Sequence, residues 1–320
     1  LAIERVMSEG RLVAAGDHAQ LGPIVNGVYP DPPYGEPVLH RSVLDLLLER
    51  TSRPGVPLCQ LLENWRMNET LTDASRAIYG PSFRCANDEI ANRRLRLRAR
   101  RQAFVGACCD PDYPLVIVAM DGIQAAQTNE PEADLVAELA IALREDMEGV
   151  EDDRNFWKDY LFIISPHHSQ IGAIRRRLAS NRDWAASPFV DTVDKMQGQE
   201  AEAVLVSYGV SDPEYAAMEA EFIYGRNRLN VAITRARCKS IVFLPQPLLD
   251  GSPELLNDET VAEGLAYMRD LVALARRCET PREFPLNENV TACVFRVGRA
   301  GNLNFGASNH RPAEAGAFDS

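Results

Sequence analysis

The chain has 320 residues, a length that fits two domains and a sizeable hydrophobic core. Hydrophobic residues make up 46% and charged residues 25%, as in ordinary soluble globular proteins, and no apolar run is long enough to span a bilayer. The net charge of −12 excludes a uniformly basic nucleic-acid binder, but not a protein that grips a strand in a local groove, where the local field decides binding.

The first residues, LAIERVMSEG, carry acidic side chains and no apolar h-region, so they do not read as a signal peptide. The chain does not begin with Met and reads as a fragment of a longer protein. Seven cysteines without CxxC spacing point to reduced thiols in a cytoplasmic, or more broadly intracellular, protein, with the nucleus an open alternative in a eukaryote, and argue against a zinc site.

In chain order, Arg11 to Ala15 reads as a short strand ending at Gly16-Asp17. Asp17 and Gln20 then stand just past a strand's C-terminal end, where open α/β sheets bind ligands; a plain polar turn is the other reading. Asn26 to Pro37 reads as loop, Val38 to Arg50 as helix, Thr51 to Pro57 as turn and Leu58 to Leu62 as strand. Asn68 suits the cap of a helix from Glu69 to Tyr79. Arg93 to Arg101 alternates arginine with Leu95, Leu97 and Ala99. As a strand it puts Arg94, Arg96, Arg98 and Arg100 on one face, either as a phosphate-tracking ridge or as charge protecting a sheet edge.

Leu115 to Met120 and Leu161 to Ser165 read as buried strands, with an Asn129/Glu132 capping box starting the helix between them. A helix from Ser169 to Leu178 follows. Ala203 to Ser207 is a third buried strand, preceded by the polar loop Lys195 to Glu200 in which Gly198 permits close backbone approach to a ligand. Asp212 to Tyr224 reads as an acidic connection. Helical spacing from Arg228 to Arg237 groups Leu229, Ala232, Ile233 and Ala236 and places Arg228 and Arg235 along one edge. Ser240 to Leu244 is the next strand, Glu259 to Arg277 a helix, and residues 279–320 read mostly as loop or disordered chain.

Four of these stretches carry a family resemblance. GDHAQLGPIV (Gly16 to Val25), LLENWRMNETL (Leu61 to Leu71), VDTVDKMQGQE (Val190 to Glu200) and RLNVAITRA (Arg228 to Ala236) resemble motifs III, IV, V and VI of superfamily 1 helicases, in order and at domain-scale spacing. IISPHHSQ (Ile163 to Gln170) is a looser match to the segment between IV and V. The pattern is most like the nonsense-mediated-decay and senataxin-like group, and covers roughly residues 10 to 250.

The resemblance implies an α/β fold, a P-loop NTPase with a RecA-like parallel sheet. Residues 1–62 would end one RecA-like domain, 63–250 would form a nearly complete second, and 251–320 would add a helix and a partly irregular tail. It implies that Gln20 senses the γ-phosphate, that Asp17 supports the metal–water network, and that Arg66 and Arg235 reach the triphosphate. Arginines brought from a neighbouring domain stabilise the charge of phosphoryl transfer. Gln197, Gly198, Glu200 and Arg228 would complete the nucleotide side, with Glu200 toward the ribose. Ser165, His167 and Thr192 would face a bound strand. ATP and Mg2+ are the implied cofactors, single-stranded RNA or DNA the partner, with no membrane involved and 5′ to 3′ polarity.

The chain departs from the pattern at Trp65, where tyrosine or phenylalanine is usual, and at Asn227-Arg228, where two arginines are usual. It contains neither GxxxxGK[ST] nor a DEAxQ-like acidic motif, so the Mg2+ ligands are expected in an upstream half. The expectation is the C-terminal part of an ATP-dependent helicase or translocase, inactive alone. The alternative is a nucleic-acid or partner-binding module without an ATPase half of its own. A nuclease-fused ATPase is a third reading, but no acidic nuclease cluster occurs in the sequence.

Overall fold

Strands buried on both faces read as unbroken apolar runs, because neither face meets water. Four such runs form the centre of the molecule. The computed structural model describes residues 13–22, 30, 32–33, 42–50 and 58–299. Arg11 and Leu12, most of the Asn26–Pro37 loop, the start of the Val38–Arg50 helix, the Thr51–Pro57 turn and residues 300–320 lie outside the described residues.

After α1 (Val43–Arg50), β1 (Glu63–Asn64) and β2 (Arg84–Cys85) pair in parallel around α2 (Glu69–Tyr79). The Asn68 side chain caps α2 by accepting from the Leu71 amide at 3.1 Å. Then come α3 (Asp88–Ala91), α4 (Ala103–Cys109) and β3 (Leu115–Asp121). A crossover through α5 (Glu130–Asp146), α6 (Asp153–Asn155) and a π-helical turn (Phe156–Tyr160) reaches β4 (Leu161–Ile164). From there α7 (His168–Asn181) leads to β5 (Val190–Asp191), and a 3-10 turn (Val193–Met196) to β6 (Ala201–Ser207). Next are α8 (Pro213–Met218), α9 (Ala220–Ile223), α10 (Arg226–Ile233) and β7 (Ala236–Phe243). The described chain closes with α11 (Gln246–Asp250), α12 (Glu259–Cys278) and the strands β8 (Arg282–Pro285) and β9 (Thr291–Val297).

The seven-stranded sheet has the order β5-β4-β6-β7-β3-β9-β8. From β5 to β3 all neighbours are parallel; β9 runs antiparallel to β3, and β8 to β9. Alternate residues feed two cores. Ile117, Phe162, Val204 and Val242 face α2, α10 and α12, whereas Val118, Ile163, Leu205 and Ile241 face α4, α5 and α7. Each such buried aliphatic side chain contributes about 1.5–3 kcal/mol, so the sheet centre holds the site's framework rigid.

Several expectations are corrected. Residues 13–15 and 58–62 form no strand; Val13, Leu58 and Leu61 are exposed, and β2 reaches only the last residue of the second stretch, where the Arg84 amide donates to the Leu62 carbonyl at 3.0 Å. Arg93 to Arg101 is not a strand but an extended segment with one antiparallel bridge, Leu97 to Met147, at the end of α5. Residues 212–224 hold α8 and α9, with Asp212 accepting from the Glu214 and Tyr215 amides at 2.9 Å. Residues 282–297, part of the 279–320 stretch expected to be mostly loop or disordered apart from the apolar Ala292 to Phe295, form a hairpin that extends the sheet past residue 250. The Asn129/Glu132 box caps α5 from one side only. Its Asn129 accepts from the Glu132 amide at 3.0 Å, while Glu132 Oε1 accepts from Ser207 Oγ at 2.6 Å and the Gly209 amide at 3.0 Å. Complete burial pushes the Glu132 carboxyl up to about 7.

Candidate functional site

The parallel topology separates the candidate residues. β5 and β6 both run parallel to β4, so residues 192–200 must cross from the C-terminal edge of the sheet back to its N-terminal edge. Thr192 therefore lies at one edge and Glu200 at the other, joined by one loop. Gly198 sits in that loop at φ +84°, a backbone conformation that favours glycine, with open space above it. Gln197 beside it is exposed.

At the N-terminal edge, Glu200 is held by two arginines. Arg66 Nε donates to Glu200 Oε2 at 2.6 Å, and Arg66 Nη1 donates to the Thr234 carbonyl at 3.0 Å. Arg237 donates to Glu200 Oε1 through Nε at 3.0 Å and Nη2 at 2.6 Å, and reaches Glu202 Oε1 with Nη1 at 3.0 Å. Partial burial alone would raise the Glu200 carboxyl, but the bonds from Arg66 and Arg237 outweigh it and hold it below the usual range. A register shift between Ala201 and Ala203 leaves Arg237 and Cys238 opposite the single residue Glu202, and both bond to it.

Arg235 is not on the helix that the spacing suggested. α10 ends at Ile233, because the chain must turn at Thr234 to enter β7 at Ala236. Arg235 occupies that junction and is only 2% exposed. Its Nε donates to the Val231 carbonyl at 3.1 Å and its Nη1 to the Gln199 carbonyl at 3.3 Å. Burial, then the neighbouring Arg66 charge, lower its pKa to about 10; Tyr79, Glu200 and Asp17 act in the opposite sense. The side chain is still a cation at neutral pH.

The Asp17–Gln20 turn is fixed against this centre. Asp17 Oδ2 accepts from Gln20 Nε2 at 2.8 Å and from the Tyr79 hydroxyl at 2.9 Å. Asn230 donates to the Ala19 carbonyl and the Tyr79 hydroxyl, both at 3.0 Å. Asn227 donates to the carbonyls of His18 at 3.1 Å and Gln20 at 2.9 Å. An asparagine where the family pattern has arginine thus ties the turn to α10.

The structure groups Arg228 elsewhere. It pairs with Asp194 at 3.2 Å, lies over the Phe222 ring at 4.5 Å, and lines a small apolar pocket with Thr192 and Tyr208 at the C-terminal edge. Ser165, at the same edge, is fully buried, and its hydroxyl has no partner among the described residues. His167 is half-buried between Tyr215 and Phe222, and burial lowers its pKa. Sequence reading missed Tyr79, Glu202, Asn230 and Arg237. Only the two-residue spacing of Glu200 with Glu202, and of Arg235 with Arg237, across the starts of the adjoining strands β6 and β7 could have signalled two of them.

A mostly parallel sheet covered on both faces, with buried and paired arginines collected at one edge, defines an α/β domain of the RecA-like type. Residues 39–244 match the AAA domain family AAA_12, and the chain belongs to that family, the C-terminal RecA-like part of superfamily 1 helicases. It is 26% identical over 268 residues to the DNA replication ATP-dependent helicase/nuclease JHS1 of Arabidopsis thaliana, covering 80% of this chain and 18% of that protein. It is 25% identical over 272 residues to "Putative helicase mov-10-B.2" of Danio rerio, covering 75% and 25%. A shorter stretch of 106 residues is 33% identical to "Probable RNA helicase armi" of Drosophila melanogaster, covering 32% and 8%. The chain spans 18–25% of the length of the first relatives it matches.

The donor set fits the anionic end of a nucleotide. Arg66 and Arg235 each keep Nη2 without a partner among the described residues. Five guanidinium N–H groups in a planar fork suit phosphate oxygens. Among the described residues no group of His, Cys, Asp and Glu could hold a metal ion, so none of them is assigned to Mg2+. No helix among them is long and apolar enough to cross a membrane.

Proposed function

We propose that this chain forms the second RecA-like domain of an ATP-dependent helicase or translocase on single-stranded RNA or DNA, with residues 1–62 ending the first. In this reading Arg66 and Arg235 are the arginines presented to the triphosphate, Gln20 and Asp17 belong to the turn that reports its γ-phosphate, and Glu200 is the carboxylate at the ribose side. Thr192, with Ser165 and His167 behind it, belongs to the strand side. The observation that carries the reading is the meeting of four distant segments, at Asp17, Arg66, Glu200 and Arg235, around one buried cation. ATP with Mg2+ supplies the phosphoryl group; this chain's residues position it, neutralise its charge and pass its state along residues 192–200.

That loop gives the proposal a test. In a protein joining this chain to a P-loop-bearing domain, strand affinity is measured with and without a non-hydrolysable ATP analogue. The parent is expected to change affinity at least ~5-fold, the low end of ordinary allosteric coupling. Glu200→Ala, which frees Arg66 and Arg237 from their shared carboxylate, is expected to bring that ratio close to one. Unchanged coupling in Glu200→Ala would remove Glu200 from the link between nucleotide and strand. An absence of coupling in the parent would favour a binding module without motor function.

A further inference from the structure

The arginine segment between α3 and α4 has no role in the reading above. It borders a cleft of 970 Å³ at the N-terminal edge of the sheet, whose walls include Arg94, Arg96, Trp65, Glu148 and Arg237, and which Glu200 of the proposed nucleotide site also lines. Leu95 is buried and Leu97 half-buried. Two backbone bonds hold the segment extended: Arg98 N donates to the Asp146 carbonyl at 2.7 Å, and Glu148 N donates to the Arg96 carbonyl at 3.0 Å. Arg94, Arg96 and Arg98 consequently point outward and are exposed.

Their neighbours are occupied. Arg93 donates to the carbonyls of Trp65 at 3.1 Å and Arg66 at 2.9 Å; Arg100 pairs with Asp112 at 3.1 Å, and Arg101 with Asp146 at 2.6 Å. Arg94, Arg96 and Arg98 have no side-chain hydrogen bond or ion pair among the described residues. Charge of this kind can protect a sheet edge from pairing, but this segment is no edge: the edges of the main sheet are β5 and β8. Three unpaired arginines in a chain of net charge −12 therefore ask for an external anion.

We propose that Arg94, Arg96 and Arg98 form a second docking ridge for single-stranded nucleic acid, at the opposite edge of the sheet from Thr192. Alternate residues of an extended segment repeat every ~6.6 Å, close to the separation of successive phosphates on an extended strand. Arginine forks suit phosphate oxygens. Trp65, 65% exposed on the same cleft, offers a face on which a base can stack. Glu89 and Glu148, which form no ion pair among the described residues, share the walls and balance Arg94 and Arg96 there; Arg98, just beyond the walls, tips the ridge positive.

The proposal rests on the chain binding single strands, and its test separates that premise from the ridge. A labelled oligonucleotide is titrated with the chain alone, without nucleotide, at several salt concentrations. Each phosphate contact on a single strand contributes about 0.7 to the slope of log K against log salt. R94Q/R96Q/R98Q is expected to flatten the slope by about 2. Glu148→Gln is expected to tighten binding, and Trp65→Ala to weaken it ~5-fold or more while leaving the slope unchanged. If the parent binds and the triple variant keeps its slope, the ridge is wrong and strand binding stands. If the parent does not bind, both are wrong.

Discussion

Arg235→Lys and Arg235→Ala are expected to lower kcat for ATP hydrolysis about 10³-fold in a protein that joins this chain to a P-loop-bearing domain. That factor corresponds to about 4 kcal/mol of transition-state stabilisation. Arg235 is buried, cationic and anchored by two carbonyls that fix its guanidinium without consuming Nη2. An ammonium cannot make both carbonyl bonds and still present a planar fork, so lysine should fail nearly as badly as alanine. Nucleotide affinity should change much less, because charge on the transferring group develops toward the transition state. Steady-state hydrolysis with separate nucleotide-binding titrations measures both. Near-parental kcat in folded variants would reduce Arg235 to a packing residue.

Lys239 gives the largest expected effect on stability. It lies in the middle of β7, fully buried, with Nζ donating to the carbonyls of Asp110 at 2.9 Å and Tyr113 at 2.5 Å. Burial lowers its pKa to about 8, against an unfolded value of about 10.4. Between those values the native amine is neutral while the unfolded one still holds its proton, so stability rises with pH across that window. The gain should approach ~3 kcal/mol for a displacement of about two pKa units. Urea unfolding of the parent and Lys239→Met from pH 7.5 to pH 10.5 isolates it: the parent should gain by that amount relative to the methionine variant. Parallel curves would mean that the amine is not desolvated as described. Lys239→Ala, which leaves a cavity and takes the donor from the Tyr113 carbonyl, should lose about 2–5 kcal/mol at pH 7.5 and more as the pH rises.

The parallel strands were legible because Leu115–Asp121, Leu161–Ile164 and Ala201–Ser207 are nearly unbroken apolar runs. The Asn68 cap was legible because its chemistry is local. β9 was not, since Arg296 interrupts its apolar pattern; the side chain is buried all the same, pairing with Glu279 and lying over the Tyr113 ring at 3.6 Å. Arg235 was misplaced onto the helix because Ala236 suits a helical face and a strand equally, and only the sheet decides between them. The family pattern, rather than periodicity, singled out Arg66 and Glu200. Arg237 and Glu202 escaped because their pairing depends on a bulge that exists only once β6 and β7 are in register.

In the proposed function, Arg66 and Arg235 meet a nucleotide's terminal phosphate. The direct measurement is a crystal structure of the joined protein with ADP and aluminium fluoride. Arg66 is expected to leave Glu200, and the guanidinium groups of Arg66 and Arg235 to lie about 2.7–3.1 Å from the fluoride group, the distance of effective transition-state donors. A structure in which the analogue is bound while Arg66 stays on Glu200, with no arginine of this chain within hydrogen-bond reach of the fluoride, would contradict it.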